Sequence, residues 1–129
     1  MPVQDDNVDI LSKQYAQLRA RQKALSAGVF DKELSGSNGQ LVTVLDELGK
    51  KLGRPAYHQD DIIRIMGKPD ALKGAGEYQP RSIGQNADEE IIASNELHII
   101  YFWRGWHDYL YFVSKNGIIQ QARWYFAGE

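Results

Sequence analysis

At 129 residues the chain has room for one hydrophobic core, and its 43% hydrophobic and 25% charged content is that of an ordinary globular domain. A net charge of −2 gives no electrostatic basis for nucleic-acid binding, and no apolar run reaches the roughly 20 residues a membrane helix needs. The absence of cysteine excludes disulfides, thiol nucleophiles and thiolate metal sites. Residues 1–6 are acidic and lack the basic and apolar regions of a signal peptide, so a cytoplasmic setting is expected.

Val8, Leu11, Tyr15, Leu18 and Leu25 follow one another at spacings of three, four, three and seven, which is a helical stripe. Gln14, Gln17, Arg19, Arg21 and Lys23 supply its solvated side, and Gly28 stops it. The segment 29–34 reads as a connector, and the cluster 35–39 as a turn from which Ser37 or Asn38 caps a second helix. Leu41, Val44, Leu45, Leu48 and Leu52 form the apolar face of that helix. Lys50 and Lys51 complement its dipole, and Gly53 with Pro55 closes it.

A short third helix is expected over about 58–66. Asp60 and Asp61 lie in its first turn, Ile62, Ile65 and Met66 point inward, and Gly67 and Pro69 end it. His58, Asp60 and Asp61 together suggest an acid–base or metal group. Adjacent helix residues diverge by about 100°, however, so capping accounts for the carboxylates better. Residues 73–96 read as a long loop with a helical turn or short sheet extension near 88–93, and a loop of that length is usually functional or disordered.

The last third is rich in aromatic and β-branched residues and is divided at Arg104-Gly105 and Asn116-Gly117, the composition and punctuation of three antiparallel strands. The whole chain is thus expected to be a single α+β domain. Two N-terminal helices and a short third helix pack on one face of a three-stranded antiparallel β-meander.

The run from Asp60-Asp61-Ile62-Ile63 to Met66-Gly67-Lys68-Pro69 resembles the "acid, apolar pair, Leu/Met-Gly-x-Pro" segment of the small protein A / outer-membrane lipoprotein A family. Leu110 to Ile119 is similar to that family's "apolar strand, Asp/Asn-Gly, apolar strand" hairpin, and β-lactamase inhibitor proteins are built from two such units. The resemblance spans about residues 57–126. This chain departs from the family in lacking a lipidated cysteine, in its 73–96 insertion and in its longer first helix. The resemblance implies helices on one sheet face and the other face presented to a protein partner.

Strand register decides which side chains that face carries. A three-residue loop 115–117 with Gly117 left-handed pairs Ser114 with Ile118. Leu110, Phe112, Ala122, Trp124 and Phe126 then lie together, opposite Tyr109, Tyr111, Val113, Gln121, Arg123 and Tyr125. A two-residue loop exchanges the sets between partners. The first register is preferred, because it joins the purely apolar residues to the helices. The side taken by Tyr101 and Trp103 is open. If they join Tyr109, the free face is Tyr101, Trp103, Trp106, Tyr109, Tyr111, Arg123 and Tyr125, a composition typical of binding hot spots.

The expected function is non-catalytic protein binding through that face, as an inhibitor or assembly factor, toward an unidentified protein partner or a second copy in a homodimer. Two alternatives stand beside it. One is a purely structural homodimer. The other is a dehydratase- or isomerase-type enzyme, since small α+β folds with cone-like sheets house such activities on a His-Asp pair in an aromatic pocket, and here the pair is His107-Asp108. No nucleophile is identifiable near that pair, and neighbouring strand residues point to opposite faces. Solvated or turn-satisfied histidines are the simpler reading of His98 and His107. Histidines at 58, 98 and 107 have no zinc spacing, so no metal, cofactor, nucleic acid or membrane is expected as a partner.

Overall fold

The computed structural model describes residues 6–24, 39–80, 89–103 and 108–126. It is an α+β arrangement. Among the described residues three helices, α1 (Asp6–Ala24), α2 (Gln40–Leu52) and α3 (Gln59–Met66), precede the sheet strands β1 (Ala71–Lys73), β4 (Glu96–Phe102), β5 (Asp108–Lys115) and β6 (Ile118–Phe126). The main sheet is antiparallel in the order β1-β4-β5-β6, so it has four strands rather than three. The extra strand follows Pro69-Asp70 and is only three residues long, too short for a period-two pattern to reveal it. Within the expected 73–96 loop, β2 (Tyr78–Pro80) and β3 (Glu89–Ile91) instead pair as a separate two-stranded ribbon. Backbone bonds Gly76 N–H to Ile92 O and Ile92 N–H to Glu77 O, each 3.0 Å, tie its base.

The helices form for the reasons their spacing implies. Leu41, Val44, Leu45, Leu48 and Leu52 make one buried face of α2. Its N-cap is Gly39 rather than Ser37 or Asn38, which lie outside the described residues with the 25–36 segment. In α3, His58 is the N-cap, and its N–H donates to Asp61 Oδ2 at 3.0 Å. That bond and Arg64, 3.2 Å from Asp61 Oδ1, hold the Asp61 carboxyl below its usual range. The acid pair therefore opens the helix and shares no site. Gly67, at φ 84°, turns the chain out of it.

The β5–β6 hairpin settles the register. Asn116 and Gly117 both have positive φ, 54° and 84°, and Lys115 pairs with Ile118, so the turn has two residues rather than three. A bulge between Val113 and Ser114 then absorbs one residue of β6, because Val113 pairs with Gln121 while Ser114 pairs with Ile119. Beyond the bulge the faces are those of the preferred register. Leu110 pairs with Trp124 and Phe112 with Ala122, while Tyr109 pairs with Tyr125 and Tyr111 with Arg123.

The main core lies between the helices and the sheet face bearing Ile99, Tyr101, Leu110 and Phe112. Close approach of α2 and its C-cap to the β5–β6 hairpin depends on two glycines. A Cβ on Gly49 would meet Leu110 Cδ1 at 3.0 Å, and one on Gly53 would meet the Ala122 nitrogen at 2.5 Å. From Gly53 the chain runs on along the first part of β6. Ile119 N–H donates to Tyr57 O at 3.0 Å, His58 bridges Ile118, and Gln59 N–H donates to Gly117 O at 2.9 Å.

Candidate functional site at the end of the outer strand

The residues expected to share one wet aromatic face are divided by the sheet. Tyr101 and Trp103 join the helix-side core, where Tyr101 lies edge-on to Tyr15 and Phe112 and donates its hydroxyl to Gly67 O at 2.8 Å. Burial raises the Tyr101 and Tyr15 phenol pKa values well above the ordinary one; neighbouring Arg19 opposes the shift and Asp70 adds to it.

Tyr109 and Tyr111 lie on the opposite face, yet each is only 1% exposed. With Ile100 and Val113 they form a second buried layer, which Phe102 and Tyr125 pack against. The cover comes from the chain itself, so the expectation that these rings face water is corrected. A single sheet carries aromatics on both faces here because both are interior. His98 is likewise 2% exposed rather than solvated. It stacks on Tyr111 at 5.3 Å, and its Nε2 is 3.7 Å from Glu96 Oε2. Trp106 and His107 lie outside the described residues, and Asp108 is half-buried at the start of β5.

Of the expected site residues, Arg123 is exposed and Tyr125 half-buried, and they continue directly into the terminal aromatics of β6. Tyr125 packs on Tyr109 at 5.1 Å. With the Gln121 amide oriented to satisfy both groups, its oxygen accepts from Arg123 Nε at 3.1 Å and Nη2 at 2.9 Å, which holds the guanidinium along the strand. On the other face, Trp124 and Phe126 stack nearly parallel, 5.4 Å apart and 9° from coplanar. Trp103 stands edge-on to both, and Trp124 Nε1–H donates to Asp46 Oδ1 at 3.1 Å. Trp124 and Phe126 were read from the sequence purely as core, but they are half-buried. An aromatic at every one of three consecutive strand positions was the available signal, since such a run must show rings on both faces.

The strand end is thus Arg123-Trp124-Tyr125-Phe126, one exposed cation in a run with three partly exposed rings, Trp124 and Phe126 stacked on each other and Tyr125 braced by Tyr109 on the opposite face. It also ends the strand order of the sheet, and the 53–59 segment reaches along β6 only as far as Ala122. Elsewhere, a groove of about 460 Å³ lies between α1 and α2, lined by Leu11, Leu18 and Val44 among others. Among the described residues no group of three or more His, Asp or Glu could hold a metal ion, and no helix is long and apolar enough to cross a membrane. Comparison with protein-family models, curated proteins and solved structures finds no match for this chain.

Proposed function

We propose that the chain is a non-catalytic protein-binding module whose contact element is the Arg123–Phe126 end of β6. The observation that carries the reading is three consecutive partly exposed aromatics beside an exposed arginine on an edge strand. Trp, Tyr and Arg are the residues that most often dominate binding energy. Their rings are already braced by neighbours, so little rotamer freedom remains to be lost on contact. An edge strand also offers main-chain groups to an extended partner segment. The resemblance to inhibitor- and assembly-type units agrees with a binding role, with the contact moved from the sheet face to its edge.

The competing account of the same features is that Arg123 guards an edge against aggregation, a common use of charge there. Capture from a native extract, read by quantitative mass spectrometry, distinguishes the two. The intact chain and an Arg123→Glu/Tyr125→Ala variant are compared, with a Gln120→Glu chain as surface control. Proteins retained by the intact chain and the control but lost from the double variant support the module. Identical protein sets on all three refute it.

A further inference from the structure

We propose that α1 is a detachable cover, opening as a unit from an otherwise intact fold and held shut by a polar latch centred on Arg19 and Asp70. The inference is independent of the binding role assigned to β6.

The apolar hold on α1 is thin. Of its 19 residues only Val8 and Tyr15 are buried hydrophobics, Leu11 and Leu18 are partly so, and Ile10 is 55% exposed. A groove of about 460 Å³ runs along its seam with α2 and leaves Leu11 and Leu18 only partly buried. By contrast, Leu41, Leu45 and Leu48 of α2 and Ile99 and Phe112 of the sheet are fully buried, and the strands are joined by long antiparallel ladders.

What ties α1 down is polar and concentrated at one place. Ser12 Oγ donates to Ile65 O, and Arg19 donates to Met66 O at 3.3 Å and to Lys68 O. Gln22 Nε2 donates to Trp103 O at 2.6 Å. Arg19 Nη2 is 3.1 Å from Asp70 Oδ1, and Lys23 is 3.9 Å from the same oxygen. Most of these acceptors sit at the C-terminal end of α3 or just beyond it, where a helix leaves carbonyls unpaired and its dipole attracts cations. The Arg19 guanidinium lies over both the Tyr15 and Tyr101 rings, 5.4 and 5.3 Å from their centroids, while the two rings meet edge-on at 6.1 Å.

Such bonds are exchanged for bonds to water when the helix leaves, so their net hold is modest compared with a buried apolar layer. Segments with few buried apolar contacts open below the global unfolding free energy. Opening uncovers the α2 flank carrying Val44 and the Tyr101 ring. Asp70 itself stays anchored to the sheet, because its Oδ2 accepts from Phe102 N–H at 2.8 Å and its own N–H donates to Ile100 O. The latch therefore divides cleanly between a moving part and a fixed one.

Native-state hydrogen exchange on the intact chain, in increasing guanidinium below the unfolding transition, tests this. The expected result is a shared opening for the α1 amides that is less protected and less denaturant-dependent than that of β4 and β5. Arg19→Gln is then expected to speed α1 exchange about tenfold or more with β5 amides unchanged. Should α1 and β5 show one common opening in the parent chain, the cover does not exist, and that measurement stands even if the variant fails to fold. If Arg19→Gln leaves α1 exchange unchanged, or speeds both elements equally, the latch is refuted.

Discussion

Gly49→Ala and Gly53→Ala are the same chemical change four residues apart, and the packing of α2 and its C-cap on the β5–β6 hairpin predicts different outcomes. At Gly53 the backbone, with φ −80° and ψ 56°, is open to alanine, so only space matters. The new methyl would lie 2.5 Å from the Ala122 nitrogen, 2.6 Å from its Cβ and 2.7 Å from Gly49 O. Two of these are backbone atoms and cannot swing aside, so the end of α2 or strand β6 must move by roughly an ångström to restore ordinary contact. Overpacking of this kind costs about 1–3 kcal/mol, against which a stiffer unfolded chain returns about 0.4–1 kcal/mol. At Gly49 the nearest atoms are the Leu110 methyls at 3.0 and 3.4 Å, ends of a side chain with some freedom to yield. Replacing a helical glycine gains about 1 kcal/mol, so the net change should lie within about 1 kcal/mol of zero. Urea denaturation followed by tryptophan fluorescence gives both values. A Gly53→Ala chain more stable than its parent would refute the close approach of Gly53 to β6.

Leu48→Ala and Tyr111→Ala should both cost about 2–5 kcal/mol in the same assay, since both side chains are buried; a Tyr111 loss under about 1 kcal/mol would mean that its ring is wet. Burial raises the Tyr15 and Tyr101 phenols, so their contribution is complete below the unfolded tyrosine pKa of about 10 and is lost as pH climbs above it. Absorbance at 295 nm should therefore show at least two phenols ionising only with unfolding, and early titration of all seven tyrosines would contradict this. Asp61 works in the other direction. Held low first by the His58 N–H, it stabilises above the unfolded carboxyl pKa of about 4, and that stabilisation fades as pH falls through the depressed folded value. Asp61→Ala should accordingly cost about 1 kcal/mol at pH 7 and progressively less below pH 4, and a cost independent of pH would remove the carboxylate from the cap.

The helices and the hairpin were legible because local chemistry fixes them. The Leu41–Leu52 stripe, the acids in the first turn of α3 and the position of the turn at Asn116-Gly117, though not its length, each act within a few residues of chain. The faces of β5 and β6 were legible for a different reason. The apolar residues had to fall together, and the bulge at Val113 and Ser114 restores the division of faces that a two-residue turn alone would have reversed, although the individual partners differ from the expected ones. The side taken by Tyr101 and Trp103 was not legible, because it depends on pairing across 104–107, where no turn residue dictates a unique geometry. Burial of Tyr109 and Tyr111 depends on cover supplied from elsewhere in the chain, and periodicity within one strand is blind to that. The α1 anchor was hidden similarly. Arg19 looks like a solvated helix residue until α3 places its terminal carbonyls beside it.

The claim that the Arg123–Phe126 strand end is the binding surface is tested most directly by a side-chain footprint. Oxidative labelling is read residue by residue on the chain alone and on the complex recovered from extract. Protection of Trp124, Tyr125 and Phe126 in the complex, with Tyr109 and Tyr111 unreactive in both states, is the predicted pattern. Unchanged labelling at all three β6 aromatics, with protection appearing on another element, would contradict it.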